Sequence, residues 1–196
     1  WWCMGMNDRE AGNLPLEALR LHLVTDSALC GARGMLAVVE AAVRGGVTCV
    51  QLREKSLDTR AFVERARALK AWLLPLGVPL LINDRVDVAL ACGADGVHVG
   101  QSDMAPEDVR RLMPGGLIGL SVESLAQLDA AERAPVDYYG ISPVLATRSK
   151  HDAAPALGLE GLRAIRAGTR RPLVAIGGID AGNAAEVMAA GADGLA

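Results

Sequence analysis

Aromatic residues are scarce in this chain: Trp, Tyr and Phe together make 3% of 196 residues, a poor supply for an all-β sandwich. Cysteine is scarce too. Cys3, Cys30, Cys49 and Cys92 are scattered with no CxxC pair, three of them in apolar surroundings. That pattern sets aside zinc and disulfides, and the thiols read as small buried hydrophobes of a reducing compartment. Excess positive charge is missing, because the net charge is −3 and provides no basic field of the kind nucleic-acid binding requires. A bilayer-spanning run is missing as well: the most lipid-like stretch, residues 71–83, is too short and carries Pro75 and Pro79. The opening residues, Trp1 to Glu10, lack the basic and apolar regions of a signal peptide, which predicts a cytoplasmic protein with no membrane partner.

What is present is aliphatic. Hydrophobic residues make 51% of the chain, mostly Ala, Val and Leu, an α/β composition with enough length for one domain spanning 1–196 behind an N-terminal extension at 1–20. Short apolar runs alternate with helical spacing. Leu21 to Thr25 precedes Met35 to Arg44; Val47 to Leu52 precedes Thr59 to Leu74, where Phe62, Ala66, Leu69 and Leu73 share a face. Val78 to Ile82, Gly96 to Val99, Leu117 to Leu120, Val136 to Ile141 and Pro172 to Ile176 continue the strands, each with a helical segment after it. Gly194-Leu195-Ala196 opens an eighth strand.

A degenerate repeat underlies this alternation: Arg44-Gly45-Gly46-Val47-Thr48, Ala91-Cys92-Gly93-Ala94-Asp95 and Ala190-Gly191-Ala192-Asp193 each end a helix on glycine and turn into a strand. Repeated βα units of this kind predict a (β/α)8 TIM barrel. A doubly wound sheet is the alternative, but Leu23-Val24-Thr25-Asp26 offers no Gly-x-Gly-x-x-Gly. The chain stops at Ala196, so the eighth βα unit is expected to be truncated, the C-terminal end missing, and closure of the ring compromised by an unpaired strand.

In such a barrel, chemistry collects at the C-terminal ends of the strands. Asp84 in Ile82-Asn83-Asp84-Arg85 and Asp103 in Gly100-Gln101-Ser102-Asp103 both fall there, where hard oxygen ligands can hold Mg²⁺ against a substrate phosphate. The plainer readings are an Asn-Asp turn paired with Arg85 and an N-terminal cap before the Pro106 helix. Arg53 and Lys55 alternate on an extended segment after Gln51-Leu52 and are candidate phosphate donors, with Glu54 a local partner. Ser121 follows the fifth strand. Thr147-Arg148-Ser149-Lys150 lies in a long loop suited to a phosphate, and Gly177-Gly178 permits close backbone approach to an anion. Asp95 and Asp193 precede strands and read as turn residues at the opposite rim. His98 and His22 sit within strands, as readily satisfied core histidines as general bases; His151 is a minor candidate for phosphate. No nucleophile–base pair stands out.

Taken together, Val50-Gln51-Leu52-Arg53-Glu54-Lys55, Ile82-Asn83-Asp84-Arg85, Gly96-Val97-His98-Val99-Gly100-Gln101-Ser102-Asp103, Pro143 to Lys150 and Val174-Ala175-Ile176-Gly177-Gly178-Ile179 resemble the thiamine-phosphate synthase family from about Leu21 to Ala196. The resemblance implies a transferase that joins hydroxymethylpyrimidine diphosphate to thiazole phosphate, carboxylated or not, and releases diphosphate. It implies that Gln51, Arg53, Lys55, Asn83, Ser121 and Lys150 hold the pyrimidine diphosphate. Asp84 and Asp103 would bind Mg²⁺, Thr147, Ser149 and Gly178 would meet the thiazole phosphate, and Leu52, Glu54 and Arg148 are expected among the substrate-binding residues. Arg53, Lys55, Lys150 and Ser121 carry the catalytic expectation. The implied partners are small molecules, with a homo-oligomer left open. One departure is local: family members often carry His soon after the serine that ends strand five, and here Val122-Glu123 follows Ser121. A thiazole tautomerase-like paralogue and a non-catalytic phosphate-binding barrel are the alternatives.

Overall fold

The computed structural model describes residues 16–147 and 155–196. Eight short parallel strands form one sheet in strictly sequential order: β1 His22–Val24, β2 Cys49–Leu52, β3 Leu80–Asn83, β4 Gly96–Val99, β5 Leu117–Val122, β6 Tyr138–Ile141, β7 Leu173–Ala175 and β8 Gly194–Leu195. Sequential parallel order requires a crossover between every pair, and helices supply it. They are α1 Ser27–Cys30, α2 Met35–Arg44, α3 Thr59–Leu73, α4 Val86–Cys92, α5 Pro106–Leu112, α6 Leu125–Ala131, α7 Gly158–Gly168 and α8 Ala184–Ala189. The fold is the expected (β/α)8 barrel. The eighth strand is not left unpaired. It pairs with β7 through Val174↔Gly194 and Ala175↔Leu195, and the Leu195 N–H donates to the Arg20 carbonyl at 3.0 Å beside a parallel bridge Leu21↔Leu195, which joins the ring.

Alternation along each strand divides the core. Val50 and Leu52 on β2 point outward, into the shell where Phe62, Ala66, Leu69 and Leu73 of α3 pack. Each such large side chain taken fully from water contributes about 2 kcal/mol. Cys49 points inward, to a smaller cluster with Leu19, Leu81, Leu117, Tyr138 and Val174 inside the ring. The helix starts follow local chemistry: Asp58 accepts from the Ala61 N–H at 2.9 Å and Ser124 from the Gln127 N–H at 3.2 Å, satisfying donors that the first turn leaves open.

Several boundaries differ from expectation. β5 runs on to Val122, so Ser121 lies within the strand, paired in register with Gly140, because parallel pairing to β6 extends past the apolar run. β3 likewise takes in Asn83. α8 begins only at Ala184, since Asp180 and Asn183 exchange hydrogen bonds in a turn before it: the Asp180 N–H donates to Asn183 Oδ1 at 2.9 Å and the Asn183 N–H to Asp180 Oδ1 at 3.3 Å.

At the N-terminal rim the sequence repeat becomes a repeated clamp. Asp95, just before β4, accepts from the Leu80 N–H at 2.8 Å and from Lys70 of α3 at 2.6 Å. Asp137 before β6 does the same with the Ile118 N–H at 2.7 Å and Arg110 of α5 at 2.7 Å. Asp193 before β8 does so with the Leu173 N–H at 2.8 Å and Arg166 of α7 at 2.9 Å. Thr48 before β2 accepts from the Leu21 N–H at 2.9 Å. Every second strand thus satisfies the first free N–H of the strand before it, and this occupies Asp95 and Asp193 fully with structure.

Candidate active site

The opposite, C-terminal rim carries the remaining polar groups. Gln51 is 4% exposed and shares the inward face of β2 with Cys49. Two residues on, the Arg53 N–H donates to Thr25 Oγ1 at 3.0 Å and its guanidinium reaches Asp26 Oδ2 at 3.3 Å. Lys55 extends to Asp84, Nζ to Oδ2 2.6 Å. Leu52 points away from this rim, its side chain fully buried between sheet and helices, so any substrate contact from it comes from backbone. Glu54 also turns away: its carboxylate takes hydrogen bonds from Ser27 Oγ and Arg65 Nη1 and, among the described residues, pairs with no cation at the rim.

Asp84 has φ of 61°, the left-handed backbone, and is alone in this among the described non-glycine residues. Such a conformation costs an Asp about 1–2 kcal/mol. It is held by the Asp84 N–H donating to the His98 carbonyl at 2.8 Å and by Asn83 Nδ2 donating to Oδ1 at 2.7 Å. Arg85 pairs with Asp87 and Thr59 instead, so the turn is not an Asp84–Arg85 ion pair. Asp103 does not cap the following helix, whose cap position is Ala105 with no side-chain bond. Its Oδ2 accepts from the Gly100 N–H at 2.7 Å. Burial pushes the Asp103 carboxyl above its ordinary range. The Asp84 carboxylate beside it adds to the rise through charge and a hydrogen bond, while Gly100 N–H and Lys55 oppose it. Two adjacent carboxylates repel unless a proton or a cation comes between them. Among the described residues no group of three or more His, Cys, Asp or Glu side chains is set to hold a metal.

Below them, three groups from β4, β5 and β6 connect. His98 Nδ1 lies 2.8 Å from Tyr138 Oη and Nε2 lies 2.9 Å from Ser121 Oγ. His98 and Tyr138 stand two strands apart and meet only because Gly119 lies between them in register. A Cβ on Gly119 would sit 2.2 Å from Tyr138 Cζ and 2.4 Å from His98 Nδ1. Burial pushes the His98 imidazole down to about 4, with Asp103 opposing slightly, and pushes the Tyr138 phenol well up. Both are therefore neutral near pH 7. The Tyr138 hydroxyl has one hydrogen-bond acceptor among the described residues, Nδ1. Satisfying this buried donor makes Nε2 the protonated nitrogen, donating to Ser121 Oγ and leaving the serine O–H to point outward. His98 is thus a satisfied core histidine, and one that sets the orientation of a rim hydroxyl. Gln101 Nε2 adds a bond to the Ser121 carbonyl at 2.6 Å. Val122 is buried outward in the sheet–helix shell, and the Glu123 N–H donates to Gln127 Oε1.

Across the mouth, Gly177 and Gly178 have φ of 100° and 67°, which a side chain rarely adopts. A Cβ on Gly178 would approach the Ala146 carbonyl to 2.5 Å. The glycines therefore let this turn pack against the loop after β6, and Asn183 Nδ2 holds the Gly178 carbonyl at 2.9 Å. Thr147 ends the described part of that loop; Arg148, Ser149, Lys150 and His151 lie outside the described residues.

Sequence reasoning missed Tyr138, Gly119, Asp26, Ser27 and Arg65. A glycine inside the strand Leu117-Ile118-Gly119-Leu120 was the available sign of a close approach; the others carry no local signal.

The sequence model of the family described as thiamine monophosphate synthase matches residues 21–196. The thiamine-phosphate synthase of Albidiferax ferrireducens is 59% identical over 187 residues, covering 95% of this chain and 85% of that protein. That of Xanthobacter autotrophicus is 55% identical over 179 residues, covering 91% and 85%. Among solved structures, a thiamine phosphate pyrophosphorylase from Pyrococcus furiosus superposes with a TM-score of 0.84 at 38% identity, covering 92% of this chain and 85% of that one.

Proposed function

Since this chain belongs to the thiamine monophosphate synthase family and is a transferase of thiamine biosynthesis, we propose that it condenses 4-amino-2-methyl-5-hydroxymethylpyrimidine diphosphate with 4-methyl-5-(2-phosphoethyl)thiazole, giving thiamine phosphate and diphosphate. A carboxylated thiazole would release CO₂ as well. The observation that carries this reading is the meeting of Asp84, Asp103 and Lys55 at one rim. Two neighbouring carboxylates and a cation suit a polyanion that arrives with a divalent ion.

The bond that breaks joins the pyrimidine methylene to the diphosphate oxygen, and its electron pair leaves on that oxygen. The bond that forms uses the lone pair of the thiazole nitrogen. Lys55 and Arg53, with Lys150, face the negative charge that grows on the leaving group. Gln51, Asn83 and Ser121 hold the pyrimidine, the outward Ser121 O–H offering a donor. Thr147, Ser149 and Gly178 receive the thiazole phosphate, so that both reactants are held in line. Asp84 and Asp103 would hold Mg²⁺, a hard ion commonly bound by one or two carboxylates plus phosphate oxygens, which when bound supplies positive charge to the diphosphate. No general base is required, in keeping with two neutral histidines inside the ring. This chemistry suits a reducing, cytoplasmic compartment and small-molecule partners.

Incubating the protein with both substrates and Mg²⁺ should release diphosphate and form thiamine phosphate in equal amounts, and chelating the Mg²⁺ should stop both. A folded protein that releases none sinks the synthase reading in favour of a tautomerase-like or non-catalytic barrel. Asp84→Ala and Asp103→Ala should each lower turnover at least about a hundredfold; unchanged rates would remove their assigned role.

A further inference from the structure

We infer that Glu54 is a positioning residue, a buried strut that sets Arg53 and Lys55 toward the diphosphate without touching it. The inference rests on the proposed role of those two cations. Along the three residues that follow β2 the exposure differs sharply: the Arg53 side chain is 31% exposed, Glu54 1% and Lys55 56%. Dehydrating a carboxylate costs several kcal/mol unless partners compensate, and a substrate contact at an open rim would not need such burial. Its partners are of another kind. Ser27, in the first turn after β1, and Arg65, on the second turn of α3, both donate to Glu54 Oε1, and Arg65 Nη1 also donates to Ser27 Oγ at 2.9 Å. Glu54 Oε2 is enclosed with no hydrogen-bond partner among the described residues.

These contacts tie three elements at one point. The neighbouring bonds from Arg53 N–H to Thr25 and from the Arg53 guanidinium to Asp26 run between the same two loops. Asp26 in turn accepts from the Ala28 and Leu29 N–H groups. The β2 loop is therefore fastened through Glu54 to the β1 loop and α3, while Arg53 and Lys55 bond to Asp26 and Asp84 instead. Lys55 has four rotatable side-chain bonds, so its reach to Asp84 depends on where this backbone is held.

The test compares Glu54→Leu, Glu54→Gln and the double variant Ser27→Ala/Arg65→Leu with the unaltered chain, using Arg53→Ala as a reference. Two quantities are read: steady-state constants for each substrate, and calorimetric binding of inorganic diphosphate with Mg²⁺. Glu54→Leu should raise the KM for the pyrimidine diphosphate and weaken diphosphate binding by roughly tenfold to a hundredfold, because small misplacements of binding groups cost that much. The KM for the thiazole phosphate should stay within about twofold, since its proposed contacts lie across the mouth. Glu54→Gln, which keeps an acceptor for Ser27 and Arg65, should recover part of the loss. A purely structural role would instead lower the yield of active protein with both KM values unmoved. If Glu54→Leu does not fold, the double variant carries the same prediction. Unchanged diphosphate affinity in a folded variant overturns the inference. Absent turnover with diphosphate binding intact sinks the functional reading instead, and leaves Glu54 to be judged on affinity; no diphosphate binding by the unaltered chain overturns both.

Discussion

His98 Nε2 lies 2.9 Å from Ser121 Oγ while its Nδ1 lies 2.8 Å from Tyr138 Oη, so a phenol deep in the ring determines which way a rim hydroxyl offers its proton. The relay works because all three groups are neutral. Its direction follows from a single constraint, that the buried phenol hydrogen needs an acceptor.

Tyr138→Phe removes that constraint. The imidazole becomes free to carry its proton on Nδ1 and to accept from Ser121, which turns the serine hydrogen inward. Turnover should fall about tenfold, against a stability loss of about 1 kcal/mol for one hydrogen bond. Steady-state rates set beside urea unfolding separate the two; an unchanged rate would show that Ser121 is oriented some other way.

Acid should destabilise the fold well above ordinary carboxylate pH. Burial holds His22 at about 3 and His98 at about 4, against 6.5 for free histidine. Between those values the unfolded chain binds protons that the folded chain refuses, so stability rises with pH and is lost as pH falls below 6.5. Two such groups together contribute roughly 4 kcal/mol of loss between pH 7 and pH 5. Urea midpoints at the two pH values measure this, and His22→Leu should flatten about half of the difference; equal midpoints in the unaltered chain would contradict buried neutral imidazoles.

Gly119→Ala should be severe for so small a change. Its Cβ would press on Tyr138 and His98 at 2.2–2.4 Å, and neither ring has a free direction to move inside the barrel. A loss of about 3 kcal/mol is expected, a fall in melting temperature of roughly 10 °C, together with loss of turnover. Thermal unfolding that matched the unaltered chain would mean that the rings repack.

At the other rim, Asp137→Ala should act on stability alone. It leaves the Ile118 N–H and Arg110 without their carboxylate, which costs about 2–3 kcal/mol. The kcat/KM per folded molecule should stay the same, since the clamp stands at the end of the barrel away from the substrates. A change in KM for either substrate would refute that separation.

The alternation of apolar runs and helical faces was legible because burial repeats at fixed spacing, and the boundaries of α2 and the inner face of α3 follow directly from it. The rim residues Arg53, Lys55, Asn83, Asp84, Asp103 and Ser121 could be placed by one rule, that they come after the apolar runs, although Asn83 and Ser121 proved to lie in the last part of their strands. That rule says nothing of which way a side chain turns. Glu54 sits between two rim cations in the chain, yet its carboxylate bonds to Ser27 and Arg65, residues 27 and 11 positions away. Asp103 looked as fit to cap α5 as to meet Asp84, and only its contact with the Gly100 N–H and the approach of the two loops separate these.

The sequence by itself determined the order of the units and the end of the barrel where polar groups gather, because these depend on local periodicity and on turns encoded over a few residues. Tertiary structure alone decided that Tyr138 reaches His98 across Gly119, that Asp84 and Asp103 lie close enough to influence each other, and that β8 bridges to Leu21. Such contacts join residues tens of positions apart, and their geometry is set by the register and curvature of the nearly closed ring rather than by any neighbour in the chain.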